Sequence, residues 1–213
     1  AEPAVFEEWG RATRIFNKRT IRFLLTDFCS RSSGIAGVED MRMKMEISRD
    51  IKALADPDRN IRIKAVRRLS DTGQPDVEPL IRAMEHEESK DYRWYAAVAL
   101  ARIGQPAIEP LITALKGNQD REFRRYVSAA LGHMGGEAVD PLLLAMKSAD
   151  PSMRGFLSAA LCRIGPAAIE RLKEAYASHD PDLRECASLT LWGMGESGVI
   201  GMMQAIEREN EGP

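Results

Sequence analysis

A single pattern recurs five times in this chain, at spacings of 31, 31, 30 and 30 residues. Each copy has an arginine, a leucine seven residues later and a glycine eleven residues later. The arginines are Arg62, Arg93, Arg124, Arg154 and Arg184, and the glycines are Gly73, Gly104, Gly135, Gly165 and Gly195. A fixed period of about 30 residues is typical of repeat proteins, which bury their cores by stacking similar units. The period therefore restricts the fold to a repeat array.

Each copy predicts two helices joined by a tight turn. In the second copy, the apolar residues between Tyr92 and Ile103 follow helical spacing and form one stripe. Gly104 can adopt the left-handed conformation that closes a helix, and Pro106 suits the first turn of the next helix. The same punctuation predicts that the second helices start near Pro75, Pro106, Glu137, Ala167 and Ser197. One such pair cannot bury both helices, so we expect the pairs to stack.

The period also predicts the domain organisation. We expect a repeat array over residues 45–213, with a degenerate half-repeat at 45–55. The five repeats are predicted at 56–87, 88–118, 119–147, 148–177 and 178–209. Residues 1–44 do not follow the period, and we interpret them as an N-terminal helical cap with a loop at 30–37. Terminal units of solenoids are commonly atypical because one face has no neighbour.

Composition and charge argue against several classes of function. The net charge of -2 gives no argument for a nucleic-acid or anionic-membrane partner. Apolar runs are only a few residues long, far below the roughly 20 that a membrane span needs. The three cysteines form no CxxC motif, and the histidines have no metal-ligand spacing. We therefore expect a cytoplasmic protein with no catalytic residue, metal, cofactor or membrane span.

The repeated arginines and aromatic residues allow both structural and functional interpretations. We interpret the arginine row as structural, because each arginine lies four residues after an aspartate or, once, a serine. Such arginines can bind the capping carboxylates or loop carbonyls. Tyr95, Tyr126 and Phe156 share one repeat position, where aromatic rings could pack between repeats or hold a ligand.

The repeated motif resembles the HEAT-like repeats of the phycobilisome-lyase type. The resemblance rests on Asp-Pro before the first helix, on the Arg, Leu and Gly positions, and on Glu-Pro-Leu in the second helix. It extends from Asp56 to about Glu209. It implies an all-α fold, a right-handed α-solenoid of antiparallel helix pairs whose second helices line a concave face. Members of this family mostly bind other proteins, and some are subunits of bilin lyases.

Candidate contact residues lie where the copies differ. One position of the second helix is occupied by Arg82, Thr113, Leu144, Glu174 and Gln204. Trp94 occupies a position that varies among the copies, so we expect its side chain to face solvent. These six residues are the predicted partner-binding set, and the predicted function is a non-enzymatic scaffold or adaptor for another protein. The alternative is a subunit of a bilin lyase or a related cofactor-attachment complex, with bilin or a bilin-carrying protein as its partner.

Overall fold

The structure is a computed structural model that describes residues 35–211. Most of the predicted N-terminal cap, residues 1–34, lies outside the described residues. The structure divides after Glu46 into two units, and the second unit contains all five copies of the repeat. Helix α1, Ile35–Ala53, contains the boundary that we predicted between residues 44 and 45.

Ten further helices alternate as first and second members of the pairs. The first helices are α2 (Arg59–Thr72), α4 (Lys90–Ile103), α6 (Arg121–His133), α8 (Pro151–Ile164) and α10 (Pro181–Gly193). The second helices are α3 (Val77–His86), α5 (Ile108–Gly117), α7 (Val139–Lys147), α9 (Ile169–Tyr176) and α11 (Glu196–Glu211). A short 3-10 turn precedes each second helix except α11. The predicted starts of the second helices are confirmed.

The turns follow from two local interactions that the sequence predicts. Asp58, Ser89, Asp120, Asp150 and Asp180 each cap a first helix by accepting a backbone N–H. Each repeated glycine adopts a positive φ, between 71° and 80°. Only glycine takes such a conformation without steric cost, so the chain reverses at the same point in every copy.

Stacking of the pairs produces two layers of helices. Each first helix contacts the first helix of the next pair, and each second helix contacts the next second helix. The five repeated leucines lie between the layers, and each is at most 1% exposed: Leu69, Leu100, Leu131, Leu161 and Leu191. Burying a leucine contributes about 1.5–3 kcal/mol. Each unit therefore adds a similar amount of hydrophobic stabilisation to the array. The protein is an α-solenoid of antiparallel helix pairs.

The repeated arginines bind the backbone and the neighbouring unit. The Nε of Arg93 donates to the carbonyl oxygen of Glu87 at 2.5 Å, and its Nη1 lies 2.6 Å from the Asp120 carboxylate of the next unit. The other four contact loop carbonyls or side chains of neighbouring elements: Arg62 with Asp56 and Pro57, Arg124 with Asn118 and Ser152, Arg154 with Asp182, and Arg184 with Glu209. The structural interpretation of this row is confirmed.

One local prediction is wrong. The loop predicted at residues 30–37 does not include residues 35–37, because α1 begins at Ile35. A glycine inside a helix costs only about 1 kcal/mol relative to alanine, so Gly37 does not prevent helix formation. Among residues 35–211, no helix has the length and hydropathy that a membrane crossing requires. The same residues contain no cluster of three side chains suited to a metal ion.

Candidate functional site

A groove of about 1190 Å³ lies on the layer of first helices. Its lining residues all come from α4, α6 and α8, which are the first helices of three consecutive repeats. The resemblance had implied that the second helices form the binding surface. The groove lies instead on the opposite layer, which the first helices form.

Trp94 lies on α4 at the groove, and 53% of its surface is exposed. Its ring meets that of Tyr95 edge-on, with centroids 4.9 Å apart and planes at 86°. Tyr95 is buried, and the Arg62 guanidinium lies 4.9 Å from its ring centroid. Interaction with Arg62 lowers the pKa of the Tyr95 hydroxyl. Trp94 therefore exposes a large apolar surface, while its ring contacts the buried Tyr95.

Two further aromatic residues line the groove from the next helices. Tyr126 on α6 and Phe156 on α8 are both half-buried. The Phe156 ring lies 5.9 Å from the guanidinium carbon of Arg124, and its carbonyl oxygen accepts a hydrogen bond from Ser128 at 2.7 Å. The packing interpretation of the position shared by Tyr95, Tyr126 and Phe156 is confirmed, whereas a ligand-holding role stays a prediction. Its residues pack between repeats, and the two half-buried rings also face the groove.

Short side chains leave room between these aromatic residues. Ala97 and Ala101 on α4, Ala129 on α6, and Gly155 and Ala159 on α8 all line the groove. Side chains this small leave the surface depressed between the larger residues. The depth of the groove therefore follows from residue size at a few positions on the first helices.

Four arginines and one histidine line the groove. They are Arg102 on α4, Arg121, Arg125 and His133 on α6, and Arg163 on α8. No aspartate or glutamate belongs to the described lining. Arg125 forms an exposed ion pair with Glu122 at 2.7 Å. Within residues 35–211 no ion pair is formed by the other three arginines, which are all exposed.

One repeat position in the sequence already indicates the basic character of the groove. The position nine residues after the repeated arginine is occupied by Asp71, Arg102, His133, Arg163 and Gly193 in the five copies. The three middle copies therefore place basic residues in register, on the three helices that form the groove. We define Arg102, His133 and Arg163 as the basic row.

The predicted partner-binding residues fall on two different layers. Trp94 lines the groove, whereas the other five residues are exposed on second helices and do not line it: Arg82, Thr113, Leu144, Glu174 and Gln204. Glu174 is paired with Arg171, and Gln204 accepts a hydrogen bond from Lys173 at 2.9 Å. The six residues therefore do not form one continuous site. A binding role for the five residues on the second helices stays a prediction.

Comparison with known proteins agrees with the repeat architecture. Residues 77–147, about a third of the chain, match the family model of HEAT repeats. This segment contains α4 and α6, two of the three groove helices. The match concerns HEAT repeats in general and does not confirm the phycobilisome-lyase type. No curated protein matches the chain.

Two solved structures align with most of the chain at low sequence identity and low TM-score. A protein described as engineered, from the Northeast Structural Genomics Consortium, is 20% identical, with 76% of this chain and 86% of that chain covered and a TM-score of 0.32. A designed armadillo repeat protein is 18% identical, with coverages of 78% and 92% and a TM-score of 0.27. Residues 77–147 are therefore similar to HEAT repeats, in agreement with the repeated motif and the stacked helix pairs.

Proposed function

We propose that this protein is a non-enzymatic scaffold or adaptor that binds another protein through the groove on α4, α6 and α8. The observation that carries the proposal is the exposed Trp94 beside a groove of about 1190 Å³. Stacked repeats support such a role because they present continuous surfaces formed by several units.

The chemistry of the groove suits a protein contact. Tryptophan, tyrosine and arginine dominate the residues that carry binding energy in protein interfaces. Trp94, Tyr126 and four arginines supply these residue types within one depression. The edge contact with Tyr95 restricts the Trp94 ring before binding. Less side-chain entropy is then lost when a partner covers the ring.

Three exposed side chains of the groove take no part in the polar contacts of the repeated arginines. The repeated arginines are occupied by loop carbonyls and by side chains of the next unit. Trp94, Arg102 and Arg163 lie outside that set of contacts and are exposed. Replacing Trp94 or Arg102 therefore leaves those contacts in place, and a glutamine at position 163 keeps the carbon atoms that pack against Gly132.

Replacing Trp94 with alanine is expected to weaken binding of the partner about tenfold or more, because an interface anchor is lost. The partner would first be identified by photo-crosslinking from a probe residue placed at Ala159, inside the groove. Its dissociation constant would then be measured by titration calorimetry. Leu144→Ala is the matched control, since Leu144 is 65% exposed but lies on the second-helix layer.

The two variants distinguish between the two layers. Unchanged affinity for Trp94→Ala, together with weaker binding by Leu144→Ala, would move the contact to the second helices and refute the proposal. If both variants lose affinity equally and their circular dichroism shows that both remain folded, the partner contacts both layers of the array.

The bilin-lyase alternative makes a different prediction. A lyase subunit would bind a tetrapyrrole or its acceptor protein, and mixing with free bilin would change the visible absorption band. The groove crosses three helices and is open to solvent along its length, a shape that suits an extended protein segment. A bilin spectrum that changes with the wild type but not with Trp94→Ala would support the alternative.

A further inference from the structure

We propose that the groove binds an acidic segment of the partner protein, with carboxylates on the basic row and an apolar side chain against Trp94. This inference rests on the proposed function and adds the chemistry of the partner. Three observations support it: the basic residues lie in register on neighbouring helices, Arg163 packs against Gly132, and the row ends at Asp71 and Gly193.

The basic row continues across three neighbouring helices. Arg102, His133 and Arg163 occupy the same position in consecutive repeats, so they follow one another along the array. Helices in contact lie about 8–10 Å apart, and the row therefore extends over roughly 20 Å. The outer copies carry Asp71 and Gly193 at this position, which ends the row on both sides.

Packing against α6 places Arg163 in the groove. A Cβ built on Gly132 would lie 2.7 Å from the Cβ of Arg163 and 2.8 Å from its Cδ. The aliphatic stem of Arg163 therefore occupies the space that any other residue at position 132 would fill. Arg163 is nevertheless exposed and, like His133, lines the groove. The contact restricts one member of the basic row before a ligand arrives.

Charge complementarity indicates an acidic ligand. The lining contains four arginines and no carboxylate among the described residues, and only Arg125 has an ion-pair partner there. Uncompensated charges of one sign in a depression concentrate the potential at that place. Opposite charge on the partner then increases both the association rate and the specificity.

The confinement of the charge favours a short acidic segment over a nucleic acid. The whole chain has a net charge of -2, so the residues outside the four groove arginines are net acidic. A long polyanion that continued along the row would reach Asp71 on one side and the uncharged Gly193 on the other, where the row has no further basic residue. A protein segment can end its acidic residues where the basic row ends. In a polyproline II segment, which has three residues per turn, residues three apart lie on one face about 9 Å from each other, close to the spacing of the row.

A synthetic peptide tests this chemistry directly. The probe is a fluorescein-labelled peptide of about eight residues, long enough to span the row, with glutamate at every third position and a central phenylalanine. The comparison probes are the same peptide with glutamine in place of glutamate, and an oligothymidine of similar length. Fluorescence anisotropy with the full chain, at low and at physiological salt, gives the dissociation constants.

The glutamate peptide is expected to bind more tightly than the glutamine peptide and the oligothymidine, with an affinity that falls as salt rises. Arg102→Gln/Arg163→Gln should weaken its binding about fivefold, since each exposed ion pair contributes modestly. Arg102→Lys/Arg163→Lys should retain much of the affinity. The control Lys147→Gln/Arg208→Gln removes two positive charges from the second helices and should change the affinity less than twofold.

Three results would overturn the inference: no binding of the glutamate peptide, equal binding of the glutamine peptide, or an equal effect of the two double glutamine variants. Preferential binding of oligothymidine would assign the groove to nucleic acid instead. The proposed function can survive these failures. A natural partner whose binding depends on Trp94 but not on Arg102 and Arg163 would leave the groove as the contact and reject only its acidic ligand.

Discussion

Replacing Leu142 with alanine is expected to lower the free energy of unfolding by about 2–5 kcal/mol, the usual loss for a buried leucine. Leu142 lies on α7 in the middle repeat, and its side chain is completely buried. The truncation removes apolar contacts and leaves a cavity between the two layers. Because each repeat contacts only its neighbours, damage in the middle repeat should also weaken the coupling between the two halves. Urea unfolding followed by circular dichroism measures both effects.

Leu144→Ala is the control for this change. It makes the same substitution two residues further along the same helix, at a side chain that is 65% exposed. Surface substitutions usually change stability by less than about 0.5 kcal/mol. If Leu144→Ala lowers the free energy of unfolding as much as Leu142→Ala does, the face of α7 that carries Leu144 is packed and not exposed to solvent.

Replacing Asp76 with alanine is expected to raise the free energy of unfolding by about 1–3 kcal/mol above pH 6. The Asp76 side chain is fully buried, and its oxygens accept no hydrogen bond from the described residues. Burial, together with the charge of Asp50, raises the Asp76 pKa from 3.8 to about 6, and the neighbouring Thr72 hydroxyl, which donates to the Arg68 carbonyl at 3.0 Å, only partly opposes this rise. Each pKa unit corresponds to about 1.4 kcal/mol, so the buried charge costs the folded state about 3 kcal/mol. Loss of a favourable charge near the start of α3 offsets part of the gain.

The raised pKa of Asp76 also predicts how the stability of the protein changes with pH. The folded state holds the Asp76 proton more tightly than the unfolded state, so the contribution of this group falls as the pH rises from about 4 to about 6. The Asp76→Ala variant should lack this fall, and its advantage should disappear near pH 4. Thermal unfolding at several pH values measures it, with about 2–4 °C expected for each kcal/mol.

Asp71→Ala controls for the loss of one negative charge, since Asp71 is an exposed carboxylate on the preceding helix. Equal thermal stability of wild type and Asp76→Ala at pH 7 would contradict the assignment of a destabilising buried charge.

The repeat position of Asp76 supports the same expectation. The corresponding residues of the next three copies are Ala107, Ala138 and Ala168, all fully buried, and the last copy has Gly198. A Cβ on Gly198 would lie 1.9 Å from the carbonyl oxygen of Leu191. The site therefore accepts small residues, and Asp76 is the polar exception in the row.

The sequence by itself determined the local structure of the array. Capping residues such as Asp120, glycines such as Gly104 and the buried leucines act over a few residues or in every copy. Their effects can therefore be predicted from spacing alone. The structural role of the repeated arginines also followed from their distance to the capping residues. The exposure of Trp94 followed from the variability of its position among the copies.

Only the tertiary structure decided which layer carries the groove. The depth of the groove depends on small residues from three helices about 30 residues apart, and its charge depends on Arg102 and Arg163 lying in register. The burial of Asp76 likewise requires the stacked neighbours. Spacing within one repeat fixes which residues face outward, but a surface shared by several repeats forms only when their helices pack.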